Sequence, residues 1–411
     1  MPKTRSLRGL WDVMRAATLI LVVLALAGCG ERSEAQADER VQQMAAQLQP
    51  EVERAVGLPF KAPPVVALRS REQVGTYLAA KLDTDLPPSV LDGMAEAYRL
   101  FGMLPDTLDL RTLLLALYTE QVIGYYDPDS STLYVVRDAD PKSQRMILAH
   151  ELVHALQGQY TNVDSLIAPA RANDARTAAQ AVLEGQATLA SLTILMPDRD
   201  LNAVPHFWDS YRKSLEQQQA KMPVFNTAPP LIREGIVFPY LEGAEFVRWF
   251  DRTYPRREPF GRYLPQSTEQ ILHPDRFRAG DEPIPLRLVG AGPEPMHSDV
   301  LGEFETRILL AELTGSEAVA QSASLGWGGD RYAVYRTPNG PALIWWIVWD
   351  DEASASRFAE LVRPEWELRA VPGRRFSASR TYVGGKPGVR LVNAPDAWVG
   401  WEEMPRVEVA R

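Results

Sequence analysis

The pattern that most constrains this chain is His150-Glu151-Leu152-Val153-His154, an HExxH motif in a stretch that favours helix. Two histidines four residues apart project from one face of a helix, so both imidazoles can bind the same metal ion. The glutamate between them can accept a proton from a water molecule in the open position of such an ion. The chain has only 5 histidines in 411 residues, so this spacing seldom arises by chance. The motif predicts a zinc site with Glu151 as general base.

A third protein ligand has to come from elsewhere in the chain. Residues 173–195 predict a long helix, and Glu184 stands in its middle among small and apolar residues. A lone carboxylate in such a helix is costly unless it is paired or bound to a metal. We therefore predict Glu184 as the third ligand. The alternatives that remain open are the other histidines of the chain: His206, His273 and His297.

These two segments resemble the gluzincins, zinc peptidases of thermolysin-like architecture, through residues 150–154 and Ala181-Val182-Leu183-Glu184-Gly185. The chain also resembles a group of bacterial HExxH lipoproteins. That likeness extends to Gly124-Tyr125-Tyr126-Asp127-Pro128 and to Ser267-Thr268-Glu269-Gln270-Ile271-Leu272-His273-Pro274. The resemblance implies that His150, His154 and Glu184 bind Zn²⁺ and that Glu151 activates water for peptide hydrolysis.

The same resemblance implies two further kinds of group. A tyrosine or histidine downstream stabilises the oxyanion in gluzincins, and the candidates here are Tyr240 and His273. Thermolysin carries an aspartate four residues beyond its glutamate ligand, where it supports a metal-binding histidine, whereas this chain has Thr188. The outer support of the histidines must therefore come from another residue. Asp127 is a candidate for it.

The first residues read as a secretion signal rather than as part of the fold. A basic start and a short apolar stretch end in Leu26-Ala27-Gly28-Cys29, which resembles a bacterial lipobox. We predict a signal peptide over residues 1–28, a lipid anchor on Cys29 and a flexible tether over residues 29–49, with a helix from Asp38 onward as the alternative for its second half. The implied location is the cell envelope, on the periplasmic face of the outer membrane where there are two membranes.

The remaining chain predicts an α+β protein in two parts. Residues 50–295 read as a mainly helical, zincin-like catalytic domain with a small β-sheet, and residues 296–411 as a smaller α+β module. A hairpin precedes the metal motif. We predict its second strand as the sheet edge that pairs with extended substrate: Leu133, Tyr134, Val135 and Val136. The many tryptophans of the last part are interpreted as core residues.

These observations predict a membrane-anchored zinc peptidase whose partner is a peptide or protein substrate. The formal net charge of −9 argues against nucleic acid as a partner. One alternative is a catalytically inactive lipoprotein that uses the same fold as a binding or assembly scaffold, and another is a chaperone-like envelope factor. The sequence indicates neither the cleavage specificity nor the oligomeric state.

Overall fold

The chain is α+β, as predicted, with a helical first part and a sheet-containing last part. The computed structural model describes residues 34–85, 87–127, 130–137, 141–168, 171–201, 207–290, 293–398 and 406–410. The predicted signal peptide, Cys29 and His206 lie outside these residues. Within the described residues, no helix has the length and hydropathy needed to cross a membrane.

The first part consists of helices and three short strands. In chain order they are α1 (Glu34–Val56), β1 (Val65–Arg69), α2 (Arg71–Asp85), α3 (Pro88–Phe101), α4 (Leu110–Gln121), β2 (Gly124–Asp127), β3 (Thr132–Val136), α5 (Pro141–Tyr160), α6 (Val163–Leu166) and α7 (Asn173–Leu195). Helix α5 carries the HExxH motif. Helix α7 carries Glu184 and spans residues 173–195, as predicted.

The later elements begin with helices and end in the larger sheet. They are α8 (Phe207–Gln219), α9 (Pro223–Thr227), α10 (Pro230–Thr253), α11 (Thr268–Leu272), α12 (Pro274–Ala279), β4 (Leu286–Val289), β5 (His297–Asp299), α13 (Gly302–Thr314), α14 (Glu317–Ser324), β6 (Trp327–Thr337), β7 (Gly340–Trp349), α15 (Glu352–Glu367), β8 (Arg374–Val383), β9 (Lys386–Pro395) and β10 (Arg406–Val409).

Helix α5 is held by an apolar stripe on the side away from its histidines. Leu148, Leu152 and Leu156 recur every four residues, share one face and are fully buried. They belong to a core cluster that also contains residues of α1, α7 and the small sheet. This packing fixes the rotation of α5, and its two histidines therefore face α7.

Residues 34–49 form the first turns of α1, which agrees with the helical alternative from Asp38 onward and begins four residues earlier. Val41, Ala45 and Leu48 lie on one face of that helix and are buried in the cluster behind α5. An apolar face that finds a partner surface can offset the entropy of ordering the segment. The charged residues before Val41 and the glutamines between these positions predicted a polar linker.

The small sheet has the strand order β1-β3-β2, which corrects the predicted substrate edge. Strand β3 pairs in parallel with β1 and in antiparallel with β2, so residues 133–136 are central and have no open edge. Three of them, Leu133, Val135 and Val136, are fully buried. The edge prediction failed because the hairpin was visible in sequence, whereas the parallel addition of β1 was not.

Helices α7 and α10 cross at two glycines. A Cβ on Gly243 would lie 2.1 Å from the carbonyl oxygen of Ala181, and a Cβ on Gly185 would lie 2.3 Å from the backbone of Gly243. Only glycine permits this approach of the two backbones. The crossing brings Tyr240 of α10 next to the motif helix.

The last part is built on an antiparallel sheet with the order β5-β6-β7-β9-β8. Its core contains four fully buried tryptophans, as predicted: Trp327, Trp345, Trp349 and Trp366. Phe101 at the end of α3 packs edge-on against Tyr332 and Trp345, each at 5.4 Å between ring centroids. One apolar core thus runs across the boundary predicted near residue 295, and that boundary stays a prediction.

Candidate metal centre

Three side chains from α5 and α7 converge on one point. His150 Nε2 lies 3.1 Å from Glu184 Oε2 and 3.1 Å from His154 Nε2, and His154 Nε2 lies 3.2 Å from Glu184 Oε2. Tetrahedral zinc with ligands at about 2.0–2.1 Å places neighbouring donor atoms roughly 3.3 Å apart. The three donor atoms therefore fit one face of such a tetrahedron, and the fourth corner remains for water or substrate.

The centre is buried on one side and open on the other. Glu184 and His150 are 1% and 3% exposed, whereas the side chain of His154 is 11% exposed. His154 and Glu184 line a cavity of about 430 Å³. Its wall also contains Tyr77, Lys81, Tyr126, Tyr160, Asn162 and Asp164. A polar cleft therefore gives access to the three ligands.

The electrostatics favour a cation at this point. Burial lowers the pKa of His150, so its imidazole is neutral near neutral pH, which is the form that binds metal. Burial also acts to lower the pKa of His154, but the charge of Glu184 and its hydrogen bond outweigh this and raise it. Burial acts to raise the pKa of Glu184, whereas the two histidines hold it well below the usual range of a carboxyl. Glu184 is therefore ionised.

Two glutamines support the ligands, and sequence reasoning missed both. The Nδ1–H of His154 donates to Gln157 Oε1 at 2.9 Å, since an amide oxygen can only accept. Gln180 Nε2 donates to Glu184 Oε1 at 2.8 Å. They lie three residues after His154 and four before Glu184, spacings that share a helix face and could have indicated them.

Asp127, considered as the outer support of the histidines, bonds two hydroxyl groups. Its carboxylate accepts hydrogen bonds from the hydroxyls of Tyr77 and Ser130 at 3.1 and 2.7 Å. These bonds connect the end of β2 to α2 and to Ser130. The role of histidine support falls to Gln157 instead.

Glu151 and Tyr240 both lie beside the ligands. Glu151 is fully buried, and its charge contributes to raising the pKa of His154. The ring of Tyr240 stacks on that of His150 with 6.0 Å between centroids and 28° between planes. Tyr240 is therefore well placed for a role in the reaction.

His273 contacts another part of the fold, and the oxyanion role predicted for it stays a prediction. Its Nε2 lies 3.0 Å from Glu303 Oε1, at the junction with the last part of the chain. The other open alternative, His297, hydrogen-bonds the hydroxyl of Tyr332 at 3.1 Å. Both are satisfied by partners in the fold, which leaves Glu184 as the third ligand among the described residues.

The motif at residues 267–274 lies where the helical first part contacts the last part of the chain. Ser267 caps α11 by accepting from the backbone N–H of Gln270, and Thr268 donates its backbone N–H to Asp174 at 2.9 Å. The Thr268 hydroxyl in turn accepts from the backbone N–H of Phe304. These bonds tie the starts of α7, α11 and α13 together. The motif thus positions the helix that carries Glu184.

The motif at residues 124–127 packs directly on the HExxH helix. A Cβ on Gly124 would lie 2.6 Å from Ile147 Cγ2 and 3.8 Å from Glu151 Cγ, so this strand approaches α5 closely. Tyr126 lies against Gly158 and lines the cavity. Strand β2, at the end of the sheet order, is therefore the edge next to the metal centre.

A second group of carboxylates pairs with an arginine side chain rather than forming a metal site. Glu269, Asp281 and Asp350 lie close enough together to hold an ion. The guanidinium of Arg276 contacts all three, including Asp281 at 2.5 Å and Glu269 at 3.7 Å. A protein cation already balances their charge, so this group is an ion-pair cluster.

Two family models match parts of the chain. Residues 106–219 match the IrrE N-terminal-like domain of the M78 peptidases, and residues 288–397 match a domain of unknown function, DUF8575. No curated protein sequence matches. A solved structure from Chloroflexus aurantiacus, described provisionally as a hydrolase with a novel fold, is 16% identical. The match covers 66% of this chain and 97% of that one, with a TM-score of 0.37.

The first match spans the HExxH motif and Glu184. It supports the prediction that this segment is similar to zinc metallopeptidases, and the histidine–glutamate cluster is consistent with a metal ion. Each family model covers less than half of the chain. The structural likeness is too low to carry an argument.

Proposed function

We propose that this chain is a zinc-dependent peptidase that hydrolyses peptide bonds at the centre formed by His150, His154 and Glu184. The observation that carries the proposal is the triangle of donor atoms, with sides of 3.1–3.2 Å, at the wall of an open cavity. A purely structural zinc site has four protein ligands, whereas the described part of this chain offers three and an opening. That arrangement is typical of catalytic sites.

Each nearby residue has a role in this proposal. Zinc, when bound, supplies Lewis acidity and makes water a stronger nucleophile near neutral pH. Glu151 takes the proton from the attacking water and passes it to the leaving amine. The Tyr240 hydroxyl donates a hydrogen bond to the oxyanion, because its ring is held against His150. Gln157 and Gln180 hold the ligands in orientation.

The substrate is an extended peptide. Strand β2 stands at the end of the strand order among the described residues and carries Tyr126 at the cavity wall. Main-chain pairing along this edge gives affinity without demanding particular side chains. We propose residues 124–127, rather than 133–136, as the strand that aligns the scissile bond with the metal centre.

The envelope location is part of the same proposal. It rests on the resemblance of the first residues to a lipobox, with Cys29 as the acylated residue. Helix α1 begins five residues after Cys29, at Glu34, and packs behind α5. An anchor at Cys29 holds the metal centre near the membrane surface, where envelope proteins are its substrates.

The experiment compares the full-length protein with a Glu151→Gln variant. Both are loaded with zinc and assayed on a fluorogenic, unstructured protein substrate. The variant is expected to retain zinc and to lose at least roughly 100-fold in rate, because the general base is gone. The control is Glu39→Gln, an exposed carboxylate on α1, which is expected to retain full rate.

Two outcomes would contradict the proposal. A wild-type protein that binds zinc but cleaves nothing favours the scaffold alternative, in which the fold serves binding alone. Equal rates in the wild type and Glu151→Gln place the proton transfer elsewhere.

A further inference from the structure

The support of His154 does not end at Gln157. Gln157 Nε2 donates to Gln186 Oε1 at 2.9 Å, and Gln186 Nε2 donates to Glu258 Oε2 at 3.2 Å. A chain of three hydrogen bonds thus connects a metal ligand on α5 to a carboxylate in the loop after α10. It passes through one residue of α7.

The direction of donation is the same at every step. The imidazole N–H donates to an amide oxygen, that amide's nitrogen donates to the next amide oxygen, and the last nitrogen donates to a carboxylate. Aligned hydrogen bonds polarise one another. The chain therefore favours the tautomer of His154 that has its proton on Nδ1 and its lone pair on Nε2, directed at the metal centre.

The surroundings keep the chain in place. Gln157 and Gln186 are 4% and 7% exposed, and Gln157 Nε2 also donates to the backbone oxygen of Leu183 at 3.0 Å. Glu258 is half-buried and lines a separate cavity of about 430 Å³ together with both glutamines. Burial raises the pKa of Glu258, and the hydrogen bond from Gln186 opposes that shift.

We propose that Glu258 is a positioning residue of the metal centre, acting on His154 through Gln186 and Gln157. The inference rests on the proposed function, because it assumes that the centre binds zinc. Histidine ligands usually donate their second N–H to a carboxylate, a carbonyl or water. Here the carboxylate is two amides away, while Thr188 occupies the position considered for a nearer one.

The first test is a zinc titration of the metal-free full-length protein against a chromophoric chelator. Loss of an outer-shell partner typically weakens metal binding 10–100-fold. We expect Gln157→Leu to lie within that range and Glu258→Ala to weaken binding roughly tenfold, at its lower end. Glu258→Gln keeps an acceptor and loses only the charge, so its zinc affinity is expected to lie between those of Glu258→Ala and the wild type.

The matched control is Asp251→Ala. Asp251 is an acid of the same region whose charge interacts with Glu258, and it makes no bond to the two glutamines. If Glu258 acted only through general negative charge, Asp251→Ala would weaken zinc binding to the same degree. We expect Asp251→Ala to bind zinc as the wild type does.

The second test is a double-mutant cycle of Gln157→Leu and Glu258→Ala. If both belong to one chain, the double variant binds zinc about as tightly as Gln157→Leu alone. Fully additive losses, or a wild-type affinity in Glu258→Ala, would overturn the inference. Should Glu258→Ala unfold, the same cycle with Glu258→Gln decides. A wild-type protein that binds no zinc at all would instead remove the proposed function.

Discussion

At the scale of single residues, the metal centre contains three ligands that the sequence predicted and two supporting glutamines that it did not. The HExxH spacing and the lone carboxylate of Glu184 predicted three ligands that the fold brings within 3.1–3.2 Å of one another. Gln157 and Gln180 were not predicted, although each lies on the same helix face as the ligand that it supports. Only the packing of α5 against α7 shows what their amides contact.

The oxyanion contact proposed for the Tyr240 hydroxyl can be tested with one substitution. Tyr240→Phe is expected to lower kcat about 100-fold and to leave KM and zinc content unchanged, because only the hydroxyl that stabilises the oxyanion is lost. Steady-state kinetics on the fluorogenic substrate measures this. Tyr335→Phe, which removes a buried hydroxyl in the larger sheet, serves as the control. A normal kcat in Tyr240→Phe would assign the oxyanion contact to another group.

At the scale of elements, the presence of a helix or strand was easier to predict than its neighbours in the fold. The long helix of residues 173–195 and the hairpin before the motif follow from local periodicity and turn residues, and both are present. The edge position predicted for residues 133–136 was wrong, because β1 joins β3 from a distant part of the chain. A helix over the first turns of α1 was only an alternative to the tether, because the apolar face of this helix becomes evident only with the surface that covers it.

The close approach of α7 and α10 can be tested at the glycines of α10. Gly243→Ala is expected to cost about 1–3 kcal/mol of unfolding free energy, since its Cβ would meet the Ala181 carbonyl at 2.1 Å. It should also move Tyr240 off His150 and lower kcat. Gly235→Ala on the same helix meets nothing within 4 Å, so it should be neutral or stabilising. Urea unfolding distinguishes them, and equal stabilities would contradict this view of the crossing.

At the scale of the whole molecule, buried acids join the two parts of the chain. Asp174 at the start of α7 and Glu305 in α13 are 2% and 5% exposed. Burial raises the pKa of each to about 8, although Thr268 stabilises the charge of Asp174, and Asn173 and Tyr98 that of Glu305. Both therefore hold a proton in the folded chain at neutral pH. Sequence alone could not place these acids together, since they come from distant segments.

A pH dependence of stability follows from this junction. Between the unfolded pKa near 4 and the folded pKa of about 8, the folded chain binds more protons than the unfolded chain. These two groups therefore make stability fall as pH rises through that window, and their effect levels off above it. The double variant Asp174→Asn, Glu305→Gln should flatten the decline relative to wild type.

Denaturant unfolding of metal-free protein from pH 5 to pH 9 measures this slope. Asp275→Asn, which changes an acid whose side chain is 81% exposed, is the control and should follow the wild type. Parallel curves for the double variant and the wild type would show that the junction acids are ionised in the folded chain.

The central claim is that His150, His154 and Glu184 form a zinc site, and metal content tests it most directly. Elemental mass spectrometry of the purified full-length protein is expected to give about one zinc per chain. The Glu184→Ala variant, run beside it, is expected to lose most of that zinc, because two histidines alone bind weakly. A wild type without metal after zinc loading, or a variant that retains its zinc, would contradict the account.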